Sequence, residues 1–253
     1  MTQFITAKDS HRHSLETLNQ LQEYDEFMES IQTVVDLGCG AGLDLEWWAT
    51  RTTREDFPKP LNIQCTGVDI HTELPIAKAY TNITYQRTDF EETIYPPKKN
   101  KFDVLWAHNS FQFAINPIQT LSNWWSIASN GAMLVLIVPQ TTYIKHNKMS
   151  FTQESGSYYH HTMVSLIHML SVSGWDCHTG FFLKRPQEHW LHAVVYKSEI
   201  GPQDPKTTTW HDLSALKLLP ETAEKSVYAH DVLRQEDLIL PWLDQSLTWL
   251  GQQ

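Results

Sequence analysis

The stretch Val34-Val35-Asp36-Leu37-Gly38-Cys39-Gly40-Ala41-Gly42 decides how this chain is read. It opens on a short apolar run that ends in an acid, the pattern of a buried parallel strand. Glycines then stand at alternate positions, and Leu43, Trp47 and Thr50 follow at helical spacing. A strand that turns through glycines into a helix presents backbone N–H groups, and the positive helix end, to whatever lies above the turn. Glycine belongs there because a Cβ would block a ligand's approach and disfavour positive φ.

Outward from that turn the chain alternates strand and helix. Strands are expected at 33–37, 63–70, 83–86, 102–107 and 132–138, with helices at about 43–52, 74–80 and 117–129. The helix over 117–129 carries Leu121, Trp124, Trp125 and Ile127, and is expected to end at Asn130-Gly131, a C-cap signature. A further helix over 162–172 stops at Gly174, and two last strands, 175–184 and 189–197, meet at a turn around Arg185-Pro186. This order predicts an α/β, Rossmann-like, doubly wound sheet of seven strands, mostly parallel with a final antiparallel strand.

Ahead of the sheet, Leu15, Leu18, Leu21, Tyr24 and Phe27 form a helical stripe with a start near Ser14, Glu16 and Thr17. Residues 1–30 therefore read as a leading helix over the edge or mouth of the domain. From Gly201, Pro202, Pro205 and Thr207-Thr208-Thr209 mark a linker, followed by short helical patterns near 213–218, 226–233 and 242–250. The expected division is a main domain over 1–198 and a helical C-terminal extension over 199–253, packed on it as an appendage.

The chain has 253 residues, 41% of them hydrophobic, enough to fill a sizeable core. With 29 acidic against 19 basic residues its net charge is −10, which disfavours nucleic acid as a partner. Lys98-Lys99-Asn100-Lys101 is a short basic run that reads as a solvated loop. Cys39, Cys65 and Cys177 form no CxxC pair, which points to a reducing compartment without a disulfide framework. Met1–Ser10 has no apolar core of a signal peptide, and no run approaches the ~20 apolar residues that span a bilayer. A cytoplasmic protein with no membrane partner is expected; nothing in the sequence speaks to its oligomeric state.

The ligand of the turn follows from its spacing. A dinucleotide fingerprint, G-x-G-x-x-G, needs its third glycine three positions after the second. Here the pattern is G-x-G-x-G, and position 43 is Leu43. Asp36 would repel a pyrophosphate but suits a ligand that carries an ammonium group. A nicotinamide-dependent oxidoreductase is thus a weaker alternative.

Val35-Asp36-Leu37-Gly38-Cys39-Gly40-Ala41-Gly42 resembles the first motif of the class I S-adenosylmethionine-dependent methyltransferases. The likeness runs in order through 33–138. Gly67-Val68-Asp69-Ile70 looks like the motif whose acid holds the ribose hydroxyls, and Thr88-Asp89-Phe90 like the one that holds adenine. Phe102–Ala107 leads into His108-Asn109-Ser110 where the family places the sulfonium, and Met133–Val138 resembles its fifth strand. Asp69 lies 33 positions after Asp36, longer than the usual ribose-acid spacing, and the proline-containing loop over 51–60 absorbs the excess. The resemblance implies S-adenosyl-L-methionine as cofactor, held by Asp36, Gly38, Cys39, Gly40, Gly42, Asp69, Ile70, Asp89, Phe90, Ala107, His108 and Asn109. Glu91 and Glu92 compete with Asp89 for its role.

A methyl sulfonium is already reactive, so the protein must mainly align donor and acceptor and exclude water. A general base is needed only for a hydroxyl or a protonated amine. His108 is the first candidate and His161 the second, with Tyr143, His146, Tyr158, Tyr159 and His160 nearby in sequence behind the fifth strand. His160, His161 and His168 lack an acid at ligand spacing, so no metal is expected. No Asn/Asp-Pro-Pro-Tyr follows the fourth strand and no cysteine follows a proline, which counts against methylation of bases. The expected activity is methyl transfer to a hydroxyl or amine of a small molecule or glycan. The alternative from another class is a non-catalytic scaffold subunit that binds the cofactor.

Overall fold

The computed structural model describes residues 14–15, 17–19, 21–22, 25–53, 58–70, 74–96, 101–139, 158–159, 161–185, 190–223 and 227. In chain order these form α1 (Asp25–Ser30), β1 (Thr33–Leu37), α2 (Leu43–Ala49), β2 (Gln64–Asp69), β3 (Ile83–Arg87), β4 (Phe102–His108), α3 (Pro117–Ile127), β5 (Ala128–Pro139), α4 (Met163–Val172), β6 (Trp175–Arg185), β7 (Trp190–Lys197) and α5 (Trp210–Ala215). The strands make one sheet ordered β3-β2-β1-β4-β5-β7-β6, with only β7 antiparallel to its neighbours β5 and β6. This is the expected Rossmann-like arrangement, and β1, which feeds the glycine turn, lies near its centre.

The central strands are apolar without alternation because both faces are covered. In β5, Leu134, Leu136 and Val138 enter one core while Met133, Val135 and Ile137 enter the other. The first core is closed by α3 and α4 through Leu121, Trp124, Leu166, Ile167 and Leu170, and the second by Leu18, Leu21, Met28, Leu45 and Trp48. Ser14, Thr17 and residue 18 belong to the described helical residues of the leading segment, which covers the second face.

Two expectations are corrected. The helix expected over 74–80 is a single 3-10 turn, Pro75–Lys78, since Pro75 opens it and the chain must bend at once into β3. Asn130-Gly131 does not cap α3: the helix ends at Ile127, and the next residue, Ala128, is already extended at φ −77° and ψ 140°. Gly131, at φ +72°, instead sits inside β5 where the pairing with β4 slips between Phe102 and Val104, a glycine bulge. The basic run at 98–100 and the helical patterns at 228–233 and 242–250 lie outside the described residues.

Beyond β7 the chain folds back on the first core. Ser171 Oγ and the Cys177 N–H donate to the Leu218 carbonyl, and the Gln203 N–H donates to that of Val172. Leu213, Leu218, Leu219 and Ala223 are buried among the residues of α3 and α4. Gly174 (φ +85°) lets this happen, because a Cβ there would meet the backbone of Gly201 and Pro202 at 2.9 Å.

Candidate cofactor and active site

The glycine turn is pinned to the end of β2. The N–H groups of Gly38 and Cys39 both donate to the Val68 carbonyl, at 2.8 and 3.0 Å. All the turn glycines have positive φ, at +81°, +51° and +78°. Their surroundings differ: Gly38 abuts Ser110 and Phe90, Gly42 abuts Leu74 and Ile76, and Gly40 has nothing within 4 Å of where a Cβ would stand. Gly40 and Ala41 are the exposed points of the turn, and the Gly40 N–H donates to Asp69 Oδ2 at 2.8 Å. Cys39 faces inward, its thiol against Gly67, where a Cβ would lie 2.9 Å from Sγ. Burial, then the charges of Asp36 and Asp69, push that thiol far up, so Cys39 is no nucleophile.

Asp36 does not cap α2. The N-cap is Gly42, and no side chain bonds to the helix start. Asp36 is buried in β1 between Gly67 and Trp106. Burial raises its carboxyl well above the ordinary range, and the charges of Asp44 and Asp69 raise it further. A cation above the turn would relieve this crowding of acids.

Asp44 is the residue that reading the sequence missed. It stands in the first turn of α2, where an acid reads as a solvated partner of the helix dipole. In the fold it is buried, and its carboxylate accepts from Ser14 Oγ at 2.6 Å and from Trp106 Nε1 at 2.9 Å. Oδ2 also lies 3.3 Å from His108 Nδ1. These partners are 30 and 62 positions away in sequence, so local pattern held no signal of them.

The end of β4 turns sharply. Ala107 is fully buried, Asn109 takes φ +54°, and Ser110 Oγ donates to the Leu37 carbonyl beside the glycine turn. Asn109 Oδ1 accepts from Gln112 Nε2 at 2.8 Å. The His108 ring lies on the second core face, 5.6 Å from the Trp190 ring. Among the described residues its Nε2 is buried and has no hydrogen-bond partner.

On the far side of the turn, the three neighbouring acids separate. Glu91 accepts from the N–H groups of Ile115 and Asn116 and from Thr120 Oγ1, which ties it to the start of α3. Glu92 accepts from Thr88 Oγ1. The Asp89 carboxylate accepts only a local N–H, that of Glu91, among the hydrogen bonds of the described residues. Phe90 packs on Trp124, whose Nε1 donates to the Phe90 carbonyl. Ile70, at the end of β2 next to Asp69, is 64% exposed.

His161 packs elsewhere than His108: it stacks on Phe111, at 5.3 Å and 20°, in the first core. Tyr158 and Tyr159 donate backbone N–H bonds to Gln112, and Tyr159 Oη donates to the Ile115 carbonyl. These tyrosines and Ile115 form an exposed group at the mouth of the β4 loop. His168 packs against Trp210, away from His161's stack. Tyr143, His146 and His160 lie outside the described residues. Among the described residues no set of three His, Cys, Asp or Glu is grouped to hold a metal ion, and no helix is long and apolar enough to cross a membrane.

With this geometry in place, comparison with known proteins is informative. The family described as methyltransferase domain matches residues 35–136, from β1 into β5. Similar solved structures include the plantazolicin methyltransferase BpumL bound to S-adenosylhomocysteine (SAH) and a monoazolic desmethylPZN analog (17% identity, TM-score 0.54, 77% of this chain and 89% of that one). The N-methyltransferase NodS from Bradyrhizobium japonicum WM9 with SAH gives 13% identity and a TM-score of 0.53 over 77% and 89% of the two chains. The 1,6-didemethyltoxoflavin-N1-methyltransferase of Burkholderia thailandensis gives 14% and 0.54 over 76% and 82%. At such identities the likeness is one of fold. No curated protein matches the sequence. The match to the methyltransferase domain spans the glycine turn and the strands that build the site, and the fold around them is the one these SAH-bound methyltransferases share.

Proposed function

We propose that the protein transfers the methyl group of S-adenosyl-L-methionine to a hydroxyl or amine of a small molecule or glycan. The observation that carries the cofactor site is the open Gly40, its N–H fixed on Asp69, beside the exposed Ile70. Ile70 stands at the carboxyl end of β2 next to Asp69, the sheet edge at which open α/β folds bind their ligands. In this reading Asp69 accepts from the ribose hydroxyls, Ile70 and Phe90 flank adenine, and Asp89 takes its amino group. Glu91 is set aside because its carboxylate holds the start of α3. The backbone of Gly38 to Gly42, with Ala107 and Asn109 opposite, lines the amino-acid end, and Asp36 meets its ammonium.

When bound, the cofactor supplies an electrophilic methyl group. The chain's own contribution is position and dryness: the turn is rigid because Gly38, Cys39 and Ser110 are tied to neighbouring strands. His108 is the candidate base, since its Nε2 is buried without a partner among the described residues. His161, stacked on Phe111 beneath Tyr159, lies nearer the exposed aromatic group and serves acceptor binding better than proton transfer.

The acceptor class rests on the exposed Ile115, Tyr158 and Tyr159, whose apolar faces, with the tyrosine hydroxyls, suit a ring-bearing polar molecule, and on the net charge of −10, which disfavours polyanions. The test is SAH formation from S-adenosyl-L-methionine with panels of phenols, sugars and amines. Acceptor-dependent SAH is expected. Cofactor binding without turnover across every hydroxyl and amine would instead support a scaffold subunit.

A further inference from the structure

We propose that Asp44 is a positioning residue that fixes the tautomer of His108 and so presents Nε2 as the proton acceptor in methyl transfer. The inference rests on the methyltransferase reading above and goes beyond it by naming what holds the base. Asp44 is itself immobilised, with Ser14 Oγ on Oδ1 and Trp106 Nε1 on Oδ2. His108 Nδ1 lies 3.3 Å from that same Oδ2, and Trp190 backs the ring. A carboxylate only accepts, so Nδ1 must carry the hydrogen it faces, which leaves a lone pair on Nε2.

Nε2 is the telling atom. It is buried, and among the described residues nothing bonds to it. Leaving a buried polar atom unsatisfied is costly, and such atoms in native folds call for an explanation. An acceptor hydroxyl or ammonium supplies the missing partner. Its O–H or N–H bond breaks toward Nε2, and the ring becomes an imidazolium facing Asp44. The electron pair left on oxygen or nitrogen forms the bond to the methyl carbon. The C–S pair returns to sulfur, giving the thioether, and the ring proton later passes to water. Among the described residues, the neighbouring ionisable groups are Asp36 of β1, whose carboxyl feels the charge of Asp44, and His192 of β7, which lies in the same register row beyond Ile137.

The experiment reads the ring directly, without turnover. Long-range 1H–15N correlation spectra of the neutral imidazoles give the tautomer, with His108 assigned by its loss in His108→Gln. The wild type should show the hydrogen on Nδ1, and Asp44→Asn should lose that preference. A wild-type ring protonated on Nε2 would overturn the proposal, and so would an unchanged tautomer in Asp44→Asn. If Asp44→Asn does not fold, the wild-type tautomer alone decides. SAH binding by the wild type is measured beside it: its absence would refute the methyltransferase reading, whereas binding with the wrong tautomer would refute only the role of Asp44.

Discussion

Replacing Gly38 by alanine should damage the turn far more than the same change at Gly40, although both glycines have positive φ. At Gly40 the added methyl meets nothing within 4 Å, so the cost is that of a left-handed φ, about 1–2 kcal/mol. At Gly38, where φ is +81°, the methyl would overlap the Ser110 side chain, with Oγ at 3.2 Å and Phe90 Cδ1 at 3.7 Å. That overlap adds about 1–3 kcal/mol of overpacking. Moving Ser110 also strains its bond to the Leu37 carbonyl, about 0.5–1.5 kcal/mol more. Gly38→Ala should therefore cost about 2.5–6.5 kcal/mol, a large part of the 5–15 kcal/mol that holds a typical domain. Urea unfolding followed by tryptophan fluorescence, at an unchanged m-value, measures both variants. In a double-mutant cycle, Ser110→Gly should recover the overlap portion of the Gly38→Ala loss. Equal destabilisation by Gly38→Ala and Gly40→Ala would refute the close packing of the β1 and β4 loops on which the site depends.

Other consequences follow from single contacts. Glu91→Ala should destabilise the fold by about 2–4 kcal/mol, since it frees two N–H groups and a hydroxyl at the start of α3, while Asp89→Asn should spare stability in the same urea titration and weaken SAH binding. Burial, with the charge of Lys101 behind it, lowers the Lys197 ammonium to about 8, although Nζ donates to the Ala128 carbonyl and lies over Trp125. The folded state then binds fewer protons than the unfolded chain between about 8 and the ordinary lysine value near 10.4, so this group makes stability rise with pH across that window. Lys197→Met should remove that rise in the difference between the two stability–pH curves, and identical slopes would refute it.

Much of the fold was legible because its decisive signals are local. The glycine turn, the uninterrupted apolar run of β5 and the Thr162 start of α4 each follow from residues a few positions apart. Asn130-Gly131 misled because a glycine at positive φ serves a helix end and a strand bulge equally well, and only the pairing of β4 with β5 separates them. The site was half legible on the same grounds. The acids at strand ends could be named, but Asp89 and Glu91 are told apart by contacts with residues 24 to 29 positions away. Nothing local marks Asp44, and what sets it apart is Trp106 from β4 and Ser14 from the leading segment. Sequence spacing carries no trace of a carboxylate shared across three elements.

The central claim is that the turn at Gly38 to Gly42, with Asp69, seats S-adenosyl-L-methionine. Titration calorimetry with SAH tests it most directly. The wild type should bind with measurable heat, and Asp69→Ala, which removes the ribose acceptor, should weaken binding by about 10-fold or more. No binding by the wild type, or an Asp69→Ala affinity equal to it, would contradict the account.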